Sequence, residues 1–350
     1  MEWAEWGLMP PALGLFGGLL LGLAARRGRF CTLGAIEDAL YADSWNRVRM
    51  WAVALAVGIV GTFSLAQIGW VDLDQTLYAR AAWNPVGSIV GGLLFGYGMA
   101  LAGNCGYGAL ARLGGGDLRS LMILIVMGVS AYLVLAGPLA PLRLALFPPG
   151  EAVVPEASGY AHLLSDGMGI LPLWPALAIA CLLLAWALWD PKFRARREQI
   201  GWGAVVGLAI LSGWAGTSFL ASHSFEPIPV ESHSFTAPLG ETILYIMTAD
   251  GAGASFAVGS VAGILAGAMI GSLSKGHFRW EACDDPEELG RQIMGGALMG
   301  VGGILAVGCS VGQGLTAFST LSYSGPVVLA AIFAGGALGL RQLIRGFEAA

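Results

Sequence analysis

The chain has 350 residues, 56% of them hydrophobic and only 12% charged, with a mean hydropathy of +0.71. A soluble domain carries about 25% charged residues, so this composition excludes an ordinary soluble protein and predicts an integral membrane protein. The net charge of −5 says little about partners once most of the surface faces lipid, and no nucleic-acid partner is expected.

Hydropathy predicts nine spans, at about 7–25, 48–70, 85–103, 120–140, 171–189, 202–221, 255–273, 292–308 and 326–340. Several exceed the length at which apolar runs cross a bilayer as helices, whereas a β-barrel needs weakly alternating strands. The expected fold is therefore an all-α polytopic bundle of about nine transmembrane helices plus short re-entrant helices. Glycine, at 54 residues, is about twice its usual frequency, which suits close helix packing and broken helices.

The first span follows Glu2 and Glu5 rather than cations, so it is expected to remain as a span and not to be cleaved as a signal peptide. It carries Gly14-x3-Gly18-x3-Gly22 and leads into Arg26-Arg27-Gly28-Arg29-Phe30-Cys31. With the N-terminus outside, sixteen of the eighteen Lys and Arg residues fall on the cytoplasmic side, all but Arg80 and Arg143. The positive-inside rule then predicts a periplasmic N-terminus and a cytoplasmic C-terminus.

The third span ends in the most informative motif. Gly91 to Gly108 returns as Gly295 to Gly312, with nine identities at a constant offset of 204 residues and no gap. Cys105 pairs with Cys309 in this alignment. One copy runs outside to inside and the other inside to outside, so the pair is an inverted-topology repeat. Small residues follow each thiol: Gly106, Gly108 and Ala109 in one copy, Ser310, Gly312 and Gly314 in the other. A short re-entrant helix is expected after each Cys. The chain reads as one transport domain, 1–350, with halves of about 1–190 and 200–350 and a hinge over 190–200, which carries Lys192, Arg194, Arg196 and Arg197.

A second echo sets Gly14-x3-Gly18-x3-Gly22 against Gly263-x3-Gly267-x3-Gly271. The predicted topology gives these spans the same direction, which whole-chain inversion forbids. Either the match is chance or one span is misassigned.

The outside segments 141–170, with Pro148-Pro149-Gly150, and 222–240 have the Pro, Ser and acidic content of solvated loops. In the second, Ser222, Ser224 and Glu226 are expected near an outer mouth, with Glu231 beside it. His223 and His233 read as polar loop residues rather than metal ligands. Glu241 to Asp250 is expected to form a short re-entrant helix beside the path.

Five cysteines without a CxxC pair argue against a disulfide scaffold or that type of redox motif. Cys181, alone in a span, reads as a packing residue. Cys283, in Glu281-Ala282-Cys283-Asp284-Asp285, reads as incidental in an exposed acidic loop. Cys105 and Cys309, duplicated at the breaks, point to a site built from both halves. For Cys31 the packing and functional readings both stay open. Arg26, Arg27 and Arg29 are candidates for a functional role on the inner side, against the alternative that they serve the positive-inside rule alone.

Arg-Phe-Cys-x-x-Gly-Ala at Arg29 to Ala35, Gly-Met-x-Leu-Ala-Gly-x-Cys-Gly-x-Gly at Gly98 to Gly108, and Gly-Cys-Ser-x-Gly at Gly308 to Gly312 together resemble the YeeE/YedE sulfur-transport family. The resemblance covers about residues 14 to 340. It implies a multi-pass protein of the bacterial inner membrane that takes up thiosulfate or a related sulfur anion, with no cofactor, no metal and no catalytic residue. It implies that Cys31, Cys105 and Cys309 line a central path, flanked by Gly103, Asn104, Gly106, Gly308, Ser310 and Arg29. A cytoplasmic sulfur-carrier protein is the implied partner, beside membrane lipid. Two departures stand beside that path: Asn104 replaces the Gly common before the first repeat Cys, and Val307 interrupts the second Gly-Gly-Cys.

No GxxxxGK[ST] loop is present, so no nucleotide hydrolysis by the chain itself is expected. No predicted span holds Asp or Glu at mid-depth, which suggests passive or channel-like flux. Two rivals remain: transport of another sulfur or selenium species, and a membrane thiol-redox or persulfide-transfer protein. A weaker third is a membrane anchor for a sulfurtransferase, which needs neither Cys105 nor Cys309.

Overall fold

The glycines that crowd the predicted spans face neighbouring backbones, and that close approach organises the bundle. The computed structural model describes residues 2–81, 83–148, 159–224, 228–248, 253–282 and 285–348. Its helices are α1 (Glu2–Arg27), α2 (Thr32–Tyr41), α3 (Asn46–Gln67), α4 (Leu77–Arg80), α5 (Pro85–Ala102), α6 (Gly106–Leu113), α7 (Arg119–Leu135) and α8 (Ala140–Leu146). They continue as α9 (Tyr160–Met168), α10 (Leu173–Leu188), α11 (Pro191–Arg194), α12 (Arg197–His223), α13 (Ala237–Thr248), α14 (Phe256–Ser274), α15 (Pro286–Leu305) and α16 (Ser324–Glu348). A π-helical turn spans Gly312–Ala317. Among the described residues the fold is all-helical, with only isolated parallel bridges at Thr76–Val230 and Asp117–Glu281.

A helix lies on each of the nine predicted stretches. Among the described residues six segments are long and apolar enough to cross a membrane, and the α7–α8 pair, bent by 65°, makes up to seven if taken as one span. Two stretches fall short of that standard for physical reasons. The α10 helix has only 16 residues, and α15 begins with Glu287 and Glu288 and carries Arg291 in its second turn.

α5 and α15, which carry the repeat, pack against each other in opposite directions. A Cβ on Gly91 would stand 2.6 Å from the Gly302 carbonyl oxygen, and one on Gly302 would stand 2.6 Å from that of Gly91. Gly98 and Gly295 meet in the same reciprocal way, again at 2.6 Å. Gly302 is the counterpart of Gly98, and Gly295 that of Gly91, so each contact exchanges partners under a local two-fold axis. Only small residues let two backbones come this close.

The rest of the chain follows the same axis. α5 packs on α16 as α15 packs on α7; α1 packs on α14 as α12 packs on α3. The counterparts are therefore α1 with α12, α2 with α13, α3 with α14, and α7 with α16. This resolves the second glycine echo. Gly14 lies against Phe256, Gly18 against Ser260, and Gly22 against Ile264, so α1 and α14 run parallel. The two GxxxG faces resemble each other because they pack together. They are not repeat counterparts, and neither span is misassigned.

The expected hinge over 190–200 is largely helical, formed by α11 and the start of α12. Cys181 is exposed on α10 rather than packed inside, as suits a peripheral helix that is apolar all round. Pro149, Gly150, Phe225, Glu226, Ala249, Asp250, Cys283 and Asp284 lie outside the described residues.

Candidate functional site

Each half ends a long helix with a left-handed residue and restarts it on a thiol. α5 closes at Gly103, whose φ is +74°, and Cys105 then caps α6: its Sγ accepts from the Gly108 N–H at 3.5 Å. α15 gives way to Val307 at φ +57° and Gly308 at φ +150°, and Cys309 Sγ accepts from the Gly312 N–H at 3.3 Å. The third thiol does the same. Cys31 caps α2, accepting from Gly34 at 3.5 Å, after Arg29 has turned the chain at φ +56°. Cys31 and Cys105 thus hold N-cap positions, and Cys309, two residues ahead of the π-helical turn's own cap Val311, likewise accepts from the N–H three residues on.

Cys105 and Cys309 are 1% exposed and Cys31 is partly exposed. Cys105 lies in electrostatic reach of both Cys31 and Cys309. The fold therefore gathers the three thiols that the motifs singled out. The re-entrant helix expected after Cys105 is α6; its counterpart after Cys309 is the wider π-helical turn, which accommodates Gln313 between Gly312 and Gly314.

The neighbours are polar and incompletely partnered. Asn104 Oδ1, Ser310 Oγ and Gln313 Oε1 are buried without a hydrogen bond. Ser310 lies against the Cys105 thiol but outside normal hydrogen-bond geometry, which leaves its oxygen unpartnered. Gln313 Nε2 donates to the carbonyls of Ala306 at 2.8 Å and Val307 at 3.1 Å, latching the broken end of α15. Gly103 is exposed, and its carbonyl accepts from Arg112 at 3.4 Å. Gly106 lies within 2.9 Å of Met127 at its Cβ position, and Gly308 within 3.1 Å of Gln313, so both pack rather than line open space.

The cations divide. Arg26 donates to Ser272 Oγ at 2.6 Å and Arg27 to Ser274 Oγ at 3.2 Å, so both tie α1 to the end of α14. Arg29 is exposed, two residues before Cys31.

An aromatic row also surrounds the thiols, and sequence reasoning missed it. Phe30 stacks on Trp51 with centroids 4.8 Å apart, and Tyr107 stands between Phe30 at 6.5 Å and Phe235 at 6.0 Å. The Tyr107 hydroxyl donates to the Leu21 carbonyl at 2.7 Å, which anchors α6 to α1. The available signal was Phe beside a small polar residue at the start of both α2 and α13.

The 222–240 segment is not a solvated loop throughout. Ser232, His233, Phe235 and Thr236 are 5%, 0%, 0% and 1% exposed. His233 is an interior residue whose Nδ1 meets Ser260 Oγ at 2.6 Å. Its ring occupies the space left by Gly17, so the glycine and the histidine fit each other. His223 does lie exposed, its Nδ1 bonded to Phe219 O at 2.9 Å. Among the described residues no cluster of His, Cys, Asp or Glu has the makings of a metal site. The helix expected over Glu241 to Asp250 is α13, which begins earlier, at Ala237.

A family model described as sulphur transport matches residues 27–338. The chain is 27% identical over 352 residues to the thiosulfate transporter TsuA of Escherichia coli (strain K12), covering 92% of this chain and 91% of that protein. It is 28% identical over 323 residues to the thiosulfate transporter TsuA of Spirochaeta thermophila, covering 89% and 92%. A shorter match, 31% identical over 104 residues, links 29% of the chain to 24% of the probable transporter YedE of Escherichia coli (strain K12).

Proposed function

Because the chain belongs to the sulphur transport family, we propose that it carries a small sulfur-containing anion, thiosulfate first, inward across the bacterial inner membrane along Cys309, Cys105 and Cys31. The observation that carries this reading is the position of Cys105 in reach of both other thiols, which come from opposite halves of the chain. The similarity to two thiosulfate transporters over most of the chain supports the choice of substrate.

The chemistry suits passage. A thiol is a polarisable group with a weak S–H donor, so it contacts a terminal sulfur without holding it fast. Conduction needs sites favourable enough to enter and weak enough to leave. The thiols act as neutral donors, since a thiolate would repel the anion. Asn104 and Ser310 offer polar atoms beside Cys105, and Arg29 receives the anion at the inner end. The N-terminus lies in the periplasm and the C-terminus in the cytoplasm, where a soluble sulfur-carrier protein takes the product. No bond of the substrate is broken within the chain.

A bacterium that cannot otherwise take up sulfur, given thiosulfate as sole sulfur source, tests the proposal. Wild type restores growth, while Cys105→Ala and Cys309→Ala at equal expression do not, and Cys31→Ala grows poorly. Growth with both Cys105→Ala and Cys309→Ala would remove the thiol path, and no growth with well-expressed wild type would remove thiosulfate as the substrate.

A further inference from the structure

Segment 228–236 enters the interior beside Cys309 and is fixed there by its backbone. Thr217 Oγ1 donates to the Glu231 carbonyl at 2.7 Å and accepts from its N–H at 3.2 Å. Thr316 Oγ1 donates to the His233 carbonyl at 2.6 Å, and Ser232 Oγ to that of Ile210 at 2.7 Å. The next residue, Ser234, places its Oγ 4.0 Å from Cys309 Sγ.

A second hydroxyl converges on the same point. A Cβ at Gly312 would collide with Ser234 Oγ and stand 3.4 Å from the Tyr78 hydroxyl. The Tyr78 ring is held edge-on by Trp214, with centroids 6.4 Å apart, and lies in electrostatic reach of Cys309. Two O–H groups from distant segments thus flank one thiol. Gly312 is the residue whose missing side chain leaves them room.

The two-fold axis adds a contrast. Phe30 precedes α2 by two residues as Phe235 precedes its counterpart α13, so Ser234-Phe235 corresponds to Arg29-Phe30. Where the inner half places a cation, the outer half places a neutral hydroxyl. Neutral donors satisfy the oxygens of an anion without trapping it, and a cation beyond them favours onward movement.

We propose that Ser234 and Tyr78 form, with Cys309, an outer recognition station for an oxyanion of sulfur, the two hydroxyls binding its oxygens while the thiol contacts its sulfane sulfur. This deepens the transport reading above and rests on it. It assigns selectivity to two residues outside the cysteine motifs: an anion lacking oxygens loses the hydroxyl contacts, and one lacking the sulfane sulfur loses the thiol.

The test is uptake of radiolabelled thiosulfate into cells carrying wild type, Tyr78→Phe, Ser234→Ala or the double variant, at matched membrane protein level. Tyr78→Phe keeps the ring against Trp214, so one variant preserves the packing. The expected result is an approximately tenfold rise in half-saturation concentration for each single variant, with the maximal rate within about twofold of wild type. An unchanged half-saturation concentration in both would overturn the station, as would a fall in maximal rate alone. If one variant fails to accumulate, the other decides. Absence of uptake by wild type would instead sink the transport reading.

Discussion

Val307 occupies, in the second half of the chain, the left-handed backbone position that Gly103 occupies in the first. φ is +57° at Val307 and +74° at Gly103, and both residues end the helix that precedes a capping thiol. The two sites differ in cost. Glycine adopts this conformation freely, whereas a β-branched residue is strained there by about 1–2 kcal/mol. Val307 is 39% exposed, so little packing opposes its replacement. Val307→Gly should raise the melting temperature of the purified protein by a few degrees, and Gly103→Val should lower it. A melting temperature unchanged in both would show that the backbone relaxes without cost.

The reciprocal contacts between α5 and α15 make a paired prediction. Gly91→Ala and Gly302→Ala each force a methyl to within 2.6 Å of the opposite carbonyl oxygen, so the helices must part. Each should destabilise by about 1–3 kcal/mol, the usual range for overpacking, and by similar amounts because both part the same backbone contact. Gly201→Ala is the control. Nothing lies within 4 Å of that position in α12, and alanine there should stabilise by roughly 0.5–1 kcal/mol. Thermal denaturation in one detergent compares all three.

Gln313 holds the broken end of α15 through the Ala306 and Val307 carbonyls. Gln313→Leu keeps the bulk and removes both donors, leaving two carbonyls short of a partner at a cost of about 1–3 kcal/mol. Uptake should fall further than stability, because the latch positions Cys309 at the turn that follows. Equal uptake per folded molecule in Gln313→Leu would reduce the side chain to a purely structural role.

Glu231 predicts a pH dependence. Its carboxyl is pushed up to about 7, first by burial and then by Glu241 on α13. The backbone of Glu231 is bonded to Thr217 on α12, its carboxyl lies in electrostatic reach of Tyr78 on α4, and Glu241 itself accepts a hydrogen bond from Ser255. A raised pKa leaves the group neutral below about pH 7 and anionic above it. An anion approaching Tyr78 is repelled only by the ionised form, so initial uptake should decline as pH rises from 6 to 8. Glu231→Gln should hold the low-pH rate across that range. A decline that persists in Glu231→Gln would assign it to another group.

The membrane class, the positions of the helices and the duplicated thiols were legible in the chain before any fold was known. These are properties of runs and spacings: mean hydropathy sets the phase a segment occupies, and a repeat at a constant offset needs no tertiary knowledge to see. The three thiol motifs likewise stand out as contiguous residues. The meaning of Gly14-x3-Gly18-x3-Gly22 emerged only in three dimensions, since a small-residue face is the same string whether it marks a repeat or a packing partner. The fate of 228–236 was settled there too. Its serines, histidine and carboxylate have the composition of a solvated loop, yet Ser232 and His233 are buried and Glu231 and Ser234 half-buried, because Ser260, Thr217, Thr316 and the gap at Gly17 meet the segment from remote parts of the chain. Burial of a polar group depends on what it meets, and that is a property of the assembled fold.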